Sequence, residues 1–206
     1  MKIEQTQITK LLLNDLMGEP HKLDPVTVII EDQGVRAERG DHKTRQGEIT
    51  IKCYGNAWTT YWGSMGDRTV AQFFSDCSAD YLIGCLARSL SSSRFSGQAL
   101  VELARKTIIS RRQGWRHRNF EFGYLDKDEC RELFNQTDEL SSADTLQRAV
   151  DWHGDLLCKI FDTEEPWHFA CDATEPNPDY LYLQRIVLAV QVGLRQAGLA
   201  TVKAAA

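Results

Sequence analysis

Three short segments in the first third of the chain have the hydrophobic and polar patterns of β-strands. VTVIIE at 26–31 is a compact β-branched run, EITIKCY at 48–54 alternates along its length, and 57–62 carries three aromatic residues and two threonines. A period of two is typical of strands with one buried face. We therefore predict strands near 26–31, 48–54 and 57–62, paired as an antiparallel sheet. The polar, glycine-punctuated residues 33–47 predict an exposed loop or a long hairpin connection.

From residue 69 onward the spacing of apolar residues becomes helical. They recur at intervals of three and four in TVAQFFSDC and SADYLIGCLARSL, and Ser78 is a plausible N-cap for the second of these helices. Residues 115–124 alternate again and predict one more strand. Further helices are predicted at about 98–110, 127–136, 143–162 and 179–197, the last ended by Gly198.

This order of elements predicts an α+β fold in which an N-terminal antiparallel β-sheet packs against several α-helices and the C-terminal half is mainly helical. A chain of 206 residues that is 42% hydrophobic can bury one sizeable core. The serine-rich connector LSSSRFSG marks the best internal boundary. We divide the chain into a sheet-plus-helix region at 1–92 and a mainly helical region at 93–203 packed on it, with the three alanines at 204–206 read as a cloning remnant.

The stretch YWGSMGDRTV at 61–70 has the glycines and serine of a candidate catalytic loop. It lacks the Gly-x-Ser-x-Gly spacing of a nucleophile elbow, and no Lys-Ser/Thr follows its glycines as a phosphate-binding P-loop requires. The pattern instead predicts a structural turn from strand to helix, with Asp67 near the helix cap.

The six cysteines include no C-x-x-C pair, so we expect reduced, mostly buried thiols. His153, Cys158, His168 and Cys171 fit no familiar zinc spacing, and neither a metal nor a cofactor is expected. The apolar runs are too short to cross a bilayer and the N-terminus lacks a signal-peptide core, which favours a cytoplasmic protein.

The net charge of −5 conceals a segregation of charge along the chain. Residues 1–104 carry −2, residues 105–118 carry +6, and residues 119–206 carry −9. The basic segment, with its interleaved aromatic residues, suggests nucleic-acid contact, because cations neutralise phosphates and rings stack on bases. Internal pairing with the acidic half is the other interpretation. The candidate nucleic-acid-binding residues are Arg105, Lys106, Arg111, Arg112, Trp115, Arg116 and Arg118.

The acidic half suggests a different kind of contact. Residues 126–179 contain 15 acids against four basic residues. Acids at helical spacing share a face, and a dense carboxylate face resembles the phosphates of a duplex to a partner whose groove is lined by Lys and Arg. A solvated surface that keeps the protein soluble is the alternative. The candidate partner-binding residues are Asp126, Asp128, Glu129, Glu132, Asp151, Asp155, Glu164 and Glu165.

The block ITIKCYGNAWTTYWGSMGDRTVAQFFSDCSADYLIGCLA, residues 49–87, resembles a block found in uncharacterised accessory proteins of tailed phages and prophages. The resemblance implies a phage origin and supplies no catalytic residues. Phage accessory proteins often act on host replication, nucleases or defence systems, so the resemblance favours binding and inhibition.

Together these patterns predict a phage-encoded protein that inhibits or modulates a host nucleic-acid-handling or defence complex through its acidic surface, in the host cytoplasm. The alternative is a direct DNA- or RNA-binding protein that uses residues 105–118. A small enzyme of unknown chemistry is the second alternative and is less favoured, since paired acids and histidines occur in nearly any chain of this size. The expected partner is a host nucleic-acid-processing complex, no membrane contact is expected, and a homodimer that apposes the basic and acidic regions stays open.

Overall fold

The computed structural model describes residues 8–16, 21–40, 42–114 and 123–200. The chain divides into two compact units, one made of Met1–Leu90 with Pro178–Ala206 and the other of Ser91–Asn177. In chain order the elements are β1 (Ile8–Leu13), β2 (Val26–Arg39), β3 (His42–Cys53), β4 (Asn56–Trp62), α1 (Val70–Asp76), α2 (Ala79–Leu86), β5 (Ser93–Phe95), α3 (Gly97–Gln113), α4 (Lys127–Gln136), a 3-10 helix (Thr137–Ser142), α5 (Leu146–Phe161), α6 (Trp167–Ala170), β6 (Thr174–Pro176) and α7 (Pro178–Gln196).

The first unit is built on a four-stranded antiparallel sheet in the order β1-β2-β3-β4. The predicted α+β class, with an N-terminal antiparallel sheet and a mainly helical C-terminal half, is confirmed. β1 is an additional strand that the hydrophobic pattern did not predict. Its sequence, ITKLLL, ends in three consecutive leucines, and such a run does not show the alternation of a half-buried strand.

One face of this sheet carries the core of the first unit. Val28 pairs with Ile51 and Ile30 with Ile49, and all four side chains are buried. Helices α1, α2 and α7 contribute the other half of this core, with fully buried residues such as Phe74. α7, which the sequence-based division grouped with residues 93–203, therefore shares its core with the sheet.

The stretch at 61–70 is a turn between β4 and α1, with Gly66 at a φ of 64°. The helix cap is Thr69 and not Asp67 as predicted. The Thr69 hydroxyl accepts from the Gln72 amide at 3.2 Å, and the Gln72 side chain accepts from the Thr69 amide at 3.0 Å. This reciprocal capping box satisfies two amides at the start of α1.

Residues 33–47 form a long hairpin, the second of the two predicted alternatives. β2 and β3 continue as paired strands to Arg39 and His42, and Gly40 in the tight connection has a φ of 56°. Gly47 lies where this hairpin leaves the sheet. A Cβ there would come within 2.4 Å of Val70 Cγ2 and 2.5 Å of the Glu31 carbonyl oxygen, so the close approach requires glycine.

In the described part of the second unit, the regular elements are helices apart from the short antiparallel pair β5–β6. α3, α4, the 3-10 helix and α5 enclose a core that includes Leu100, Ile108, Leu157 and Phe161. The predicted helix at 127–136 has the bounds of α4, and α3 and α5 lie within about one turn of their predicted ends. Of the strand predicted at 115–124, residues 115–122 lie outside the described residues, and residues 123 and 124 are not in a strand. Within the described part of the chain, no helix has the length and apolar character needed to cross a membrane.

Candidate functional site

The eight predicted partner-binding acids all lie in the second unit, and all eight are exposed. We call this set the acidic surface. Four of them are at the start of α4 or on it, two are on α5, and two are in the connection from α5 to α6. The members are Asp126, Asp128, Glu129, Glu132, Asp151, Asp155, Glu164 and Glu165.

Two members of the acidic surface hold the start of α4 together. Asp126 is the N-cap, and its Oδ1 accepts from the amides of Asp128 at 2.8 Å and Glu129 at 2.9 Å. Glu129 Oε2 accepts from the Asp126 amide at 2.9 Å. The negative carboxylates also suit the positive end of the helix dipole. Asp126 and Glu129 therefore have a structural role whether or not a partner binds, whereas Asp128 and Glu132 extend the negative surface along α4.

The exposed face of α5 combines charge with a large aromatic side chain. Arg148, Trp152, Asp155 and Lys159 follow one another at helical spacing and so share a face, and all four are exposed. Trp152 is 60% exposed, and the Arg148 guanidinium carbon lies 5.6 Å from the centre of its ring. Asp151, next to Trp152, accepts a hydrogen bond from Gln147 Nε2 at 2.8 Å. α5 thus presents an exposed indole ring that lies beside the Arg148 guanidinium and has exposed carboxylates before and after it in sequence, at 151 and 155.

Trp152 was not among the predicted site residues, because an aromatic residue in an amphipathic helix is usually core. Spacing alone does not decide its exposure, because position 152 is three or four residues from the polar Arg148 and Asp155 and also three residues from the buried Ala149.

α5 is kinked beside this aromatic residue. His153 departs from helical geometry, with φ −126° and ψ 20°, and is followed by Gly154. Kinks at glycine are common, and non-helical backbone inside a helix occurs often at functional positions. Within the described part of the chain, the buried His153 Nε2 atom has no hydrogen-bond partner. The backbone of α5 is therefore irregular at the residue that follows Trp152.

A second tryptophan is exposed near two of the acids. Trp167, at the start of α6, is 45% exposed, and its ring stacks on that of His168 with 3.5 Å between centroids. His168 Nε2 lies 3.4 Å from Glu165 Oε2. The same unit therefore contains two exposed indoles, each close in sequence to exposed carboxylates.

Of the four members of the basic segment that the structure describes, three are engaged within the second unit. Arg105 donates from Nε to the Thr137 hydroxyl at 3.0 Å and from Nη2 to Asp138 Oδ1 at 2.7 Å, and its guanidinium lies over the Phe134 ring. Arg112 donates to the Tyr124 hydroxyl, and its guanidinium lies over the Tyr124 ring. Lys106 is exposed. The other members, Trp115, Arg116 and Arg118, lie outside the described residues.

Arg111 lies inside the second unit, with only 5% of its side chain exposed. Nε donates to the Gly123 carbonyl at 2.7 Å, and Nη1 donates to the carbonyls of Ile160, at 2.8 Å, and Lys159. Burial lowers the pKa of the guanidinium from its ordinary value, and the nearby Asp162 and Glu129 partly oppose this. This side chain holds the end of α5 and the chain at Gly123, and so does not face solvent as a phosphate contact must.

The spacing of residues along α3 did contain a signal for the burial of Arg111. Leu100, Ala104 and Ile108 form the buried face of α3, and position 111 is one turn beyond Ile108 on that face. The count of basic residues in 105–118 alone did not show that Arg111 faces the core.

A cavity of about 380 Å³ lies beside Arg111 in the second unit. Its lining includes Glu129 and Glu132 of the acidic surface, with Lys159 and Asp162. Among the described residues, no group of three or more His, Cys, Asp or Glu side chains is arranged to hold a metal ion. The cavity brings acids and bases together but contains no nucleophile paired with a base, so it does not define a reaction.

The chain belongs to the phage family Phage_phiTE_072, whose model matches residues 1–196. The phage association predicted from residues 49–87 is thereby confirmed over nearly the whole chain. Neither the curated proteins nor the solved structures gave a match.

Proposed function

We propose that this phage-family protein acts in the host cytoplasm by binding a host nucleic-acid-handling or defence complex through the acidic surface, and that this contact inhibits or modulates the complex. The observation that carries the proposal is the exposed face of α5, where Trp152 stands 60% exposed between Asp151 and Asp155. The phage family membership supports a target in the host.

An exposed indole is a strong anchor for protein contact. Tryptophan is enriched at protein interfaces and among the residues that carry most of the binding energy. A tryptophan that is 60% exposed leaves roughly 150 Å² to be buried, worth up to about 4 kcal/mol at 25 cal/mol per Å². Trp152 alone can therefore supply a large part of a specific affinity.

The surrounding carboxylates select the kind of partner. The acidic surface lies in a segment, residues 126–179, that has 15 acids against four basic residues, and its eight exposed carboxylates attract a basic groove of the kind that holds phosphates. Complementary charge accelerates association and excludes acidic partners, while the apolar anchor resists salt. A protein that handles nucleic acid has such a groove, and occupying it would block access to its substrate.

The alternative of direct nucleic-acid contact through the basic segment has less support. Arg105 is paired with Asp138, and Arg111 is buried against backbone carbonyls, so two of its cations are already engaged. Arg105 and Arg111 would each have to give up these contacts before its guanidinium could bind a phosphate.

The experiment is a pull-down of tagged protein from nuclease-treated host lysate, followed by mass spectrometry. Wild type is compared with Trp152→Ala and with the charge-reversal pair Asp151→Lys and Asp155→Lys. We expect one nucleic-acid-processing or defence complex to be retained by wild type and lost from both variants. A loss of about 2 kcal/mol, typical of an interface hot spot, weakens binding roughly thirtyfold.

The control makes the same change of charge elsewhere in the second unit. Glu102→Lys with Glu139→Lys reverses two exposed acids that are not part of the acidic surface. This control should retain the partner, and circular dichroism should show all variants folded. Equal retention by wild type and the α5 variants would contradict the proposal, as would loss of the partner in the control alone.

A further inference from the structure

The hairpin of β2 and β3 extends beyond both of its neighbouring strands. Among the described residues, β1 pairs with residues 26–31 of β2 and β4 pairs with residues 47–53 of β3. Residues 35–39 and 42–45 pair with each other across a tight connection, and we call residues 35–45 the ribbon. At about 3.3 Å per residue its strands are roughly 15 Å long. Register shifts between Asp32 and Val35 and between Val35 and Ala37 give this part of the hairpin extra twist.

The ribbon is basic although the whole protein is acidic. It contains Arg36, Arg39, Lys43 and Arg45 against Glu38 and Asp41, in a protein whose net charge is −5. Lys43 lies 3.3 Å from Glu38, but both side chains are more than half exposed, so this pair holds the lysine only weakly.

The cations of the ribbon lie on both of its strands. Side chains alternate along a strand, so Lys43 and Arg45 share one face of β3 and His42 lies on the other. Arg36 is exposed on β2, and its Nη1 donates to the Gly63 carbonyl at 3.4 Å. A thin, projecting element with cations on both strands is suited to a partner that presents rows of anions.

The base of the ribbon adds an unsatisfied donor. Arg45 exchanges backbone hydrogen bonds with the turn at 61–70, donating to the Gly66 carbonyl at 2.8 Å and accepting from the Met65 amide at 3.0 Å. Within the described part of the chain, the buried Nε of its guanidinium has no hydrogen-bond partner. An unpaired buried donor on a cation is costly, so this arginine is incompletely satisfied by the contacts of the described residues.

The same turn accommodates a second guanidinium. A Cβ at Gly63 would lie 2.5 Å from Arg36 Nη1, so the glycine leaves room for the arginine beside the turn. The glycines that resemble a catalytic loop in sequence therefore help to position two arginines at the base of the ribbon.

We propose that the ribbon is a contact for double-stranded DNA that inserts into the major groove, with Arg36, Lys43 and Arg45 on the flanking phosphates. The major groove of B-DNA, about 12 Å wide, admits a two-stranded β-ribbon and has a phosphate backbone on each side. The contact is with the backbone and carries no sequence preference of its own. It lies in the first unit and is independent of the acidic surface.

The acidic remainder of the protein limits the strength of this contact. Its charge repels phosphate, so the affinity belongs to the range of non-specific binding, with dissociation constants of about 10⁻⁴–10⁻⁶ M near physiological salt. Binding therefore weakens steeply as salt rises.

The test is fluorescence anisotropy of a labelled DNA duplex two helical turns long, titrated with the full chain at salt concentrations from about 50 to 200 mM. The ribbon variant Arg36→Ala with Lys43→Ala removes two exposed cations. The control variant Lys10→Ala with Lys52→Ala removes two exposed cations from the four-stranded part of the same sheet. Thermal unfolding confirms that both variants are folded.

We expect wild type and the control to bind, and the ribbon variant to bind more weakly with a salt dependence reduced by about two in log–log slope, one phosphate per cation removed. Absence of duplex binding by wild type at the lowest salt would overturn the proposal. Equal loss of affinity in the ribbon and control variants would overturn it too, since the contact would then be diffuse. The lysate experiment uses nuclease-treated extract and substitutions in the second unit, whereas the duplex titration uses substitutions in the first, so either proposal can fail alone.

Discussion

Replacement of Arg111 by alanine should strongly destabilise the second unit. The substitution removes a guanidinium that donates to the carbonyls of Gly123, Ile160 and Lys159. Hydrogen bonds from charged donors contribute about 1.5–3 kcal/mol each, and buried carbonyls left without a partner add their own cost. The two bonds at 2.7 and 2.8 Å together contribute about 3–6 kcal/mol. Because water can replace part of the bond to exposed Gly123, we expect a loss of about 3–4 kcal/mol in the free energy of unfolding. The neighbouring Asp162, half exposed and 3.8 Å away, adds little.

The assay is urea denaturation combined with hydrogen exchange of the peptides that cover α3 and α5. Arg111→Ala should lower protection in both helices, and Arg111→Lys should recover only part of it, because an ammonium cannot reach three separate carbonyls. Arg112→Ala is the matched control. Its side chain contacts the exposed Tyr124, so a change within about 0.5 kcal/mol is expected.

The opposite pattern would refute this reasoning. If Arg111→Ala keeps full stability but loses affinity for nucleic acid, the side chain is a phosphate contact and the direct-binding alternative for the basic segment gains support.

Three further predictions follow from the described contacts. Gly97→Ala should destabilise the protein by about 1–3 kcal/mol in thermal unfolding, because the added Cβ would lie within 2.8 Å of three carbonyl oxygens. The control Gly84→Ala, with open space around the added Cβ, should be neutral or slightly stabilising. The hydrogen bond with Cys53 and burial raise the pKa of Tyr182 to about 12, so its contribution to stability is complete below about pH 10 and is lost as the pH rises from 10 to 12. Tyr182→Phe should remove this part of the alkaline loss in a pH series of denaturation curves, and an unchanged profile would exclude the tyrosine as its source. Asp126→Ala should cost about 1 kcal/mol and increase hydrogen exchange in the first turn of α4; unaltered exchange would show that the cap is dispensable.

The sequence predicted those elements in which the spacing of neighbouring apolar residues shows which side is buried. α4 is an amphipathic helix with an acidic cap and was found at its observed bounds. The apolar parts of β2 and β3, around Val28 and Ile51, were found as strands, but the polar extension of β2 to Arg39 and of β3 back to His42 was not bounded by the pattern. β1 was missed because a strand that runs into consecutive leucines has no clear period. The pairing of α7 with the sheet depends on contacts between distant parts of the chain, which no local pattern contains.

The sequence predicted the negative charge of the candidate site but not the exposed Trp152 among its acids. Exposure of the acids follows from the cost of burying unpaired carboxylates, and all eight are exposed. Composition could not show that Trp152 faces solvent or that Arg111 faces the core, since both depend on the phase of a helix relative to its neighbours. The basic ribbon was equally hidden, because its cations are dispersed among polar residues in the sequence and come together only when β2 and β3 pair.

The most direct test of the acidic surface is carboxylate footprinting of the protein alone and in the captured host complex. Exposed acids are labelled with a carbodiimide and an amine, and the modified residues are quantified by mass spectrometry. The proposed contact predicts that Asp151 and Asp155, on either side of Trp152, become protected in the complex while Glu102 is labelled equally in both states. Equal labelling of Asp151 and Asp155 with and without the partner would show that the acidic surface is not where the protein binds.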